Sequence, residues 1–301
     1  MHMVERVDWE AAAAPAELGT RASGYRLATL VGRATGATHT ELSIARLEAG
    51  GHVDRHLHSF EEAWYVLDGS PVLELGERRL ELHAGDYALA PIGVAHAWTN
   101  PGSGEARWLS VSTPLRVAPD EGRGDSYFVA PLVSGPEIAR PSFGDPQNRW
   151  VGHYVGTPPQ AEALAVEGPA HGRRPAGMDT AILAYSGISV RMLVDRVFGA
   201  ELLTMFTVDY EPDGSAQVHD HPFEETYFFL DGEIEAVLDG VTYTVRAGDV
   251  VFAPVGSTHG FFNVGRGRVR WIETQAPQPP GRHSYRWVDA WNRFEQAQGG
   301  V

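Results

Sequence analysis

Closely spaced histidines and a glutamate could bind a metal ion. His56 and His58 are separated by one residue, and Glu62 follows four residues later. Because alternate residues of a β-strand face the same side, the three side chains are predicted to share one face if this segment is extended. His96, which follows a Pro-Ile-Gly turn, is predicted to join them from a second strand. Neutral imidazoles with one carboxylate are a typical ligand set for a divalent transition metal.

The same pattern occurs a second time at a constant offset. Adding 163 to each of these four positions gives His219, His221, Glu225 and His259. The offset also matches residues that serve turns and not metal binding: Gly69 with Gly232, Gly85 and Asp86 with Gly248 and Asp249, Pro91 with Pro254, and Asn100 with Asn263. Turn residues recur in this way when the folding unit itself recurs. The sequence therefore predicts two copies of one unit, each with its own metal site.

Short β-type segments surround both copies. Gly, Pro and Asp separate them at intervals of about ten residues, which is typical of an all-β sandwich or barrel. The predicted organisation is an N-terminal arm or short helix over 1–24, a first β domain over 25–114, a Pro- and Gly-rich segment over 115–182, a second β domain over 183–277, and a tail over 278–301.

The middle segment and the tail contain aromatic patches. Those at 127–128 and 150–154 predict that part of the middle segment packs against a barrel, as an added strand or as a cover over its mouth. In the tail, Trp287, Trp291 and Phe294 have the spacing of one helical face. This spacing predicts a short C-terminal helix that packs on the domain.

Composition disfavours several classes of function. The net charge is −15 and no basic run is present, which disfavours nucleic acid and anionic membranes as partners. The absence of cysteine excludes disulfides, thiolate nucleophiles and cysteine zinc sites. Neither an apolar run of transmembrane length nor a secretory leader pattern occurs, which predicts a cytoplasmic protein. A hydrophobic content of 43% is sufficient for well-filled cores.

Both halves resemble cupin domains, and the whole chain resembles a bicupin. The first cupin motif matches Gly51, His56, His58, Glu62 and Gly69, and again Gly214, His219, His221, Glu225 and Gly232. The second matches Gly85, Pro91, Gly93, His96 and Asn100, and again Gly248, Pro254, Gly256, His259 and Asn263. One departure is that four residues, not five, separate the leading glycine from the first histidine. The resemblance implies two tandem jelly-roll β-barrels, each with one divalent Fe, Mn, Ni, Zn or Cu ion on the ligands named above.

Strand parity also predicts what surrounds each metal. Trp64 and Trp98 in the first copy, and Tyr227 and Phe261 in the second, are predicted to face the ligands. Such a cup favours a small organic substrate with an apolar part, although aromatic residues can also simply fill a barrel. Candidate polar contacts are Asp54 and Gln217, each two residues before the first histidine.

Four further charged residues belong to the two repeated units. Glu61 and Glu224, next to the ligand glutamates, have the opposite parity and are predicted to face away from the metal. Arg46 and Arg191 are candidate anion anchors, although no spacing links them to the site.

Three functions fit these observations. The first is an Fe(II) or Mn(II) enzyme that activates dioxygen, as the resemblance to quercetin- and gentisate-type dioxygenase bicupins implies. The second is non-redox Lewis-acid catalysis, as in cupin isomerases, decarboxylases and ureidoglycine aminohydrolases. The third is a non-catalytic protein that binds a metal and a small molecule. The strand at 226–230 is apolar on both faces and is predicted to be buried on both, which is compatible with a homodimer.

Overall fold

The computed structural model describes residues 1–117, 124–132, 137–154, 185–279 and 286–287. Its regular elements are antiparallel β-strands together with short 3₁₀ helices at Trp9–Ala11, Ala16–Arg21, Arg33–Thr35 and Pro146–Asn148. The predicted all-β class is therefore confirmed. No helix among the described residues is long and apolar enough to cross a membrane.

One ten-stranded sheet, here called barrel 1, contains the first copy of the motif. Strand β1 (Met3–Arg6) precedes it in the chain and belongs to the other sheet. Barrel 1 consists of β2 (Ala22–Val31), β3 (Glu41–His58), β4 (Glu61–Asp68), β5 (Val72–Leu75), β6 (Arg78–Glu81), β7 (Asp86–Ala90), β8 (His96–Thr99), β9 (Ala106–Thr113), β10 (Ser126–Phe128) and β11 (Val151–His153). The strand order is β11-β7-β4-β9-β3-β8-β5-β6, and β2 and β10 also pair with β3.

The second ten-stranded sheet, barrel 2, has the same topology. It consists of β1 with β12 (Tyr185–Val194), β13 (Thr204–Asp220), β14 (Glu224–Asp231), β15 (Glu233–Leu238), β16 (Val241–Arg246), β17 (Asp249–Ala253), β18 (His259–Phe262), β19 (Val269–Ala276) and β20 (Arg286–Trp287). The order is β1-β17-β14-β19-β13-β18-β15-β16, and β12 and β20 also pair with β13. Every strand thus has a counterpart in barrel 1, which confirms that the sequence repeat is a repeat of the fold.

Side chains alternate between the two faces of each strand, and those that face inward fill the barrel. In barrel 1, Trp64 and Val66 of β4 pack in one buried cluster with Trp98 of β8 and Trp108 of β9. In barrel 2 the buried cluster contains their counterparts Tyr227, Phe229, Phe261 and Trp271. Because residues two apart on a strand face the same side, the side chains that form each core also surround the histidines.

Two strands from outside the repeat complete each barrel. In barrel 1 these are β10, which pairs with the His56–His58 end of β3, and β11, which pairs with β7. In barrel 2 they are β20, which pairs with β13 at His219, and β1, which pairs with β17. A sheet edge carries unpaired N–H and C=O groups, and an added strand satisfies them. The middle segment therefore supplies added strands, while residues 155–184 lie outside the described part of the chain.

A buried aspartate anchors the outer segment of barrel 1. Asp86, at the start of β7, is fully buried and accepts hydrogen bonds from the His83 backbone N–H at 2.6 Å, from Arg140 Nη2 at 2.9 Å and from His153 Nδ1 at 2.6 Å. Arg140 and His153 both belong to the segment after the repeat. The aspartate therefore connects this segment to a turn of the repeated unit.

In the equivalent turn of barrel 2, an aspartate also binds a backbone N–H group and an arginine, and this arginine comes from a different segment of the chain. Asp249 accepts the Arg246 backbone N–H at 2.8 Å and Arg6 Nη1 at 3.0 Å. Arg6 is the last residue of β1. Both repeated Gly-Asp turns thus bind an arginine from outside the repeat.

The chain ends differ in part from the predicted arm and helix. Residues 3–6 form β1, and His2 hydrogen-bonds through Nδ1 to Asp239 at 2.8 Å and through Nε2 to the Tyr243 hydroxyl at 2.9 Å. Trp287, predicted to begin a helix, lies instead in strand β20. Strand pairing with β13 there overrides the helical spacing, and Trp291 and Phe294 lie outside the described residues.

The described residues divide into two compact units. One comprises 8–117, 124–132, 137–154 and 193–203, and the other comprises 1–7, 185–192, 204–279 and 286–287. The first unit contains barrel 1 and the second contains most of barrel 2.

Candidate metal centres

Neighbouring strands bring the three histidines of barrel 1 together. His56 and His58 lie at the end of β3, and His96, the first residue of β8, pairs directly with His56. All three are buried, and one nitrogen of each lies within 4.8 Å of those of the other two. A single ion at about 2.0–2.2 Å from each nitrogen fits this separation.

An irregularity in β3 lies directly before the first histidine, and a backbone hydrogen bond fixes the tautomer of its ring. The pairing of β3 with β8 shifts register between Val53 and His56, so an extra residue is accommodated there. The Asp54 carbonyl accepts a hydrogen bond from His56 Nδ1 at 2.7 Å, and the Val94 carbonyl accepts one from His96 Nδ1 at 3.1 Å. Because a carbonyl oxygen can only accept, Nδ1 carries the proton and Nε2 keeps its lone pair for a metal. The remaining histidine, His58, bonds through Nδ1 to the Ser126 hydroxyl of β10 at 2.7 Å.

Barrel 2 repeats this arrangement with backbone carbonyls alone. His219, His221 and His259 are buried, and one nitrogen of each again lies within 4.8 Å of the others. Their Nδ1 atoms donate to the carbonyls of Gln217 at 2.7 Å, Phe223 at 2.9 Å and Ser257 at 3.0 Å, respectively. In the neutral imidazoles the proton is therefore on Nδ1 and the lone pair is on Nε2.

A glutamate carboxylate completes each set. In barrel 1, Glu62 Oε2 lies 3.0 Å from His58 Nε2 and 3.8 Å from His96 Nε2. In barrel 2, Glu225 Oε2 lies 2.8 Å from His221 Nε2 and 3.0 Å from His259 Nε2. Neighbouring ligands of one metal ion are about 3 Å apart when each bond is about 2.1 Å long, so these separations fit shared coordination.

In barrel 1, burial and charge favour the metal-binding protonation states of His56, His96 and Glu62. Burial and the neighbouring His58 lower the pKa of His56 to about 4, and burial lowers the pKa of His96 well below its usual value. Burial alone would raise the pKa of Glu62, but His58 and His96 hold that pKa below its usual range. Neutral imidazole and ionised carboxylate are the forms that donate a lone pair to a metal.

One buried nitrogen shows that the residues fit a metal ion. His96 Nε2 is buried and forms no hydrogen bond to any part of the chain that the structure describes. A buried polar atom without a partner is costly, and a metal ion inside the cluster would satisfy it. The donor set of imidazoles and one carboxylate suits Fe, Mn, Ni, Zn or Cu. Each barrel therefore contains a cluster that can bind one divalent transition metal, as the sequence predicted.

Side chains behind the ligands differ between the barrels. The Ser110 hydroxyl donates to Glu62 Oε1, whereas Glu225 accepts from Gln275 Nε2 at 2.6 Å and from the Tyr227 hydroxyl. Ser110 and Gln275 were not identified from sequence. Both lie on the strand next to the ligand glutamate, and only the strand pairing shows this proximity.

Trp64, Tyr227 and Phe261 lie next to ligand histidines, and barrel 2 has a cavity beside its cluster. The rings of Trp64 and His96 are 5.0 Å apart, and Trp98 stacks on Trp108 at 4.4 Å. In barrel 2 a pocket with about 370 Å³ of empty volume, including its open part, is lined by two ligand histidines, Glu225 and mostly apolar residues. Its lining includes Tyr227, Phe261, Phe206, Trp271 and Glu273.

Among the described residues that line this pocket, Glu273 is the one carboxyl besides the ligand Glu225. Burial raises the pKa of Glu273 well above its usual range, and the nearby carboxylate of Glu225 adds to the rise. Its counterpart at the 163-residue offset is Ser110. In the sequence this signal is one of several mismatches between the two copies.

The other predicted polar residues lie around the centres rather than in them. Asp54 and Gln217 contribute backbone carbonyls to the histidines, while the Asp54 carboxylate lies 3.5 Å from Arg21. Glu61 faces away from the metal, as predicted, and accepts the backbone N–H groups of Glu201 at 2.7 Å and Leu202 at 2.9 Å.

Arg46 and Arg191, the two candidate anion anchors, lie in different surroundings. Arg46 forms ion pairs with Glu105 at 2.9 Å and Glu10 at 3.2 Å. Arg191 is exposed on β12, and Glu224, the counterpart of Glu61, is buried.

Acid is expected to destabilise the metal-free protein through His56. Its pKa is about 4 in the folded chain and about 6.5 when unfolded, so the stability that neutral His56 contributes is complete above pH 6.5 and is lost as the pH falls towards 4. This loss amounts to about 3 kcal/mol. Urea unfolding of chelated protein at pH 7 and pH 4.5 measures it, and the neutral variant His56→Gln is expected to lose less. Equal losses in both proteins would contradict this assignment.

Two barrels of antiparallel strands, each with three clustered histidines and one glutamate, contain two candidate metal centres. The chain matches the family described as "Cupin domain" over residues 43–112 and 206–274. It belongs to the cupin superfamily and contains two cupin domains.

Known proteins with similar sequence or fold carry varied activities. The polyketide synthase CurC of Streptomyces cyaneus is 30% identical over 131 residues, which cover 43% of this chain and 84% of that protein. The structure of salicylate 1,2-dioxygenase of Pseudoaminobacter salicylatoxidans, solved with gentisate, superposes on this chain with a TM-score of 0.65 and 14% sequence identity. The superposition covers 92% of this chain and 82% of the dioxygenase chain. The structure of oxalate decarboxylase of Bacillus subtilis superposes with a TM-score of 0.57 and 17% sequence identity. This superposition covers 92% of this chain and 78% of the decarboxylase chain. The two structures show a shared fold.

Proposed function

We propose that the protein is a metal-dependent enzyme that acts on a small organic molecule, with dioxygenase-type oxidation by Fe(II) or Mn(II) as its reaction. The observation that carries this proposal is the pair of buried His clusters, in each of which one ring nitrogen per histidine lies within 4.8 Å of the other two. Four protein ligands leave coordination positions for small molecules on an octahedral metal. A redox-active ion bound there supplies electron transfer to dioxygen and Lewis acidity toward a substrate oxygen.

The protein residues supply rigidity and a dry environment. Hydrogen bonds from Nδ1 to backbone carbonyls fix the ligand imidazoles, so their lone pairs need no reorientation. In barrel 2, Gln275 and Tyr227 orient the Glu225 carboxylate. The aromatic wall of the pocket excludes water from one side of the centre, which strengthens electrostatic interactions inside it.

The activities of the similar proteins support a small organic substrate. Salicylate 1,2-dioxygenase has been solved with gentisate and a Lactobacillus farciminis oxalate decarboxylase with formate. The similarity to a protein named as a polyketide synthase favours an aromatic or polyketide-like substrate over a sugar. The aromatic lining of the barrel 2 pocket agrees with this preference.

A second candidate is a non-redox isomerase or decarboxylase reaction at the same centre. It is favoured by Glu273, a buried carboxyl in the pocket wall beside Glu225, because such a group can exchange a proton with a bound substrate. In this case the metal serves only as a Lewis acid, and dioxygen is not consumed.

Oxygen uptake separates the two candidates. Protein loaded with Fe(II) or Mn(II) is expected to consume dioxygen when diphenols, diketones or flavonols are added, and the His96→Ala/His259→Ala double variant is not. Turnover that is equally fast without dioxygen would replace the first candidate by the second. Absence of any turnover over the whole panel would contradict both and leave a binding protein.

A further inference from the structure

One ligand histidine of barrel 1 is held by a segment outside the repeat. His58 Nδ1 lies 2.7 Å from the Ser126 hydroxyl, and Ser126 is the first residue of β10. The two residues are direct partners in the pairing of β10 with β3. The other two ligand histidines, His56 and His96, donate to backbone carbonyls of the repeated unit. The repeated unit of barrel 1 therefore orients two of its histidines, and β10 contributes the contact to the third.

The matching histidine of barrel 2 is oriented by its own repeated unit. His221 Nδ1 donates to the Phe223 carbonyl at 2.9 Å, and the two rings stack with their centroids 3.8 Å apart. In barrel 1 the counterpart of this phenylalanine, Phe60, also stacks on the His58 ring, at 4.1 Å, but His58 Nδ1 bonds to the Ser126 hydroxyl. The two centres thus share their ligands and differ in how one ligand is held.

A hydroxyl group and a carbonyl oxygen constrain an imidazole differently. A carbonyl oxygen only accepts, so it keeps the proton on Nδ1 and the lone pair on Nε2, whereas a serine hydroxyl can accept or donate. His58 Nε2 lies 3.0 Å from Glu62 Oε2, so without metal this carboxylate can accept a proton placed on Nε2. A metal ion needs the Nε2 lone pair, and the Ser126 oxygen then accepts the hydrogen bond from Nδ1.

Backbone hydrogen bonds on both sides hold Ser126 in this position. Before it, the Asp125 carbonyl accepts the Ser59 N–H at 2.9 Å, and after it the Val129 N–H donates to the Arg55 carbonyl at 3.0 Å. Strand β10 has only three residues. Short peripheral strands open at a lower free-energy cost than the central strands of a barrel. A contact to a metal ligand is therefore a large part of what holds this strand.

We propose that Ser126 is a positioning residue for the metal ligand His58, and that metal binding in barrel 1 is coupled to the pairing of β10 with β3. Paired β10 presents the acceptor that orients the His58 ring, and an ion on that ring in turn stabilises the pairing. The two effects are reciprocal because they share one coupling free energy. The inference rests on the metal centres of the proposed function and not on its reaction.

Metal affinity measured one centre at a time tests the positioning role. The His259→Ala chain keeps the barrel 1 centre, the His96→Ala chain keeps the barrel 2 centre, and competition with a chromophoric chelator measures Zn(II) affinity. In the first chain, Ser126→Val is expected to weaken binding by about 10–100-fold, whereas Ser126→Thr, which has the same shape and keeps a hydroxyl, is expected to retain it. In the second chain, neither substitution is expected to change the affinity. Tyr127→Ala is the control on β10, because this side chain is 53% exposed.

Hydrogen exchange tests the coupling from the other direction. In the His259→Ala chain, Zn(II) is expected to slow amide exchange of a peptide over 124–132, measured by mass spectrometry, and Ser126→Thr is expected to keep this effect. With Ser126→Val the effect is expected to be at least tenfold smaller. A residue that only supports the fold would change the exchange equally with and without metal.

Two results would overturn the inference. One is equal Zn(II) affinity of Ser126→Thr and Ser126→Val at the barrel 1 centre, and the other is metal protection of β10 that does not depend on the hydroxyl. If Ser126→Val does not fold, Ser126→Ala replaces it in both experiments.

These outcomes are separate from those of the proposed function. Weaker Zn(II) binding by Ser126→Val, found together with no oxygen uptake by the wild type, supports the inference and contradicts only the dioxygenase proposal. Oxygen uptake by a protein whose barrel 1 affinity does not depend on the hydroxyl contradicts only the role of Ser126. Absence of Zn(II) binding in both single-centre chains contradicts the metal centres, and both proposals with them.

Discussion

A chain with both His96→Ala and His259→Ala is expected to purify without stoichiometric metal. Each substitution removes a buried ligand whose Nε2 faces the cluster. The wild type is expected to contain about two ions per chain after growth with Fe or Mn, and each single variant about one. Elemental analysis of protein purified without chelator measures this. Near-zero metal in the supplemented wild type would contradict the assignment of both centres.

Loss of the metal is also expected to lower stability strongly. An ion that binds only the folded state stabilises it by about 4 kcal/mol per site at a concentration of 1,000 times its dissociation constant. Thermal melts with and without metal measure this gain, which should be absent in the double variant. His83→Ala is a suitable control because His83 is half-exposed and pairs with Glu81, away from both clusters. An equal gain in the double variant would show that the ion binds elsewhere.

Asp86→Ala is expected to destabilise the protein by about 3–5 kcal/mol. The carboxylate is fully buried and accepts hydrogen bonds from Arg140, His153 and the His83 backbone. Alanine leaves the partly buried His83 N–H group, the His153 ring and the partly buried Arg140 guanidinium without their partner, which is more costly than loss of an exposed ion pair. Urea unfolding with a fitted free energy of unfolding measures the effect.

Asp249→Ala provides the matched comparison in barrel 2. Asp249 occupies the equivalent turn, but its partner Arg6 is 67% exposed, so the ion pair is screened by solvent. The expected loss is about 1 kcal/mol. If both substitutions cost the same, burial of Asp86 is not the source of its effect.

The strands and ligands of the two repeated units could be predicted from the sequence. Period-two spacing predicted that His56 and His58 share a face, and the turn before His96 predicted that a second strand brings it to them. The constant offset then predicted a second copy, and the strand orders of the two barrels agree. Such features depend on local periodicity and turn residues, which can be read directly from one chain.

Features that depend on tertiary pairing could not be predicted in the same way. Strand β1 has four residues, no alternation and a partner at the other end of the chain. Trp287 has helical spacing, yet pairing with β13 places it in a strand. The role of Glu273 depends on its neighbours across two strands, so the sequence showed only a difference from Ser110.

The pairing of β1 with β17 has a consequence for biosynthesis. Arg6 pairs with Asp249, so β1 is synthesised 243 residues before its partner strand. At typical translation rates this delay is about 10 to 50 seconds. During that time Met3–Arg6 has unpaired backbone groups, and its two charged residues, Glu5 and Arg6, oppose association with other nascent chains. Closure of the sheet edge in barrel 2 is thus expected to be a late step in folding.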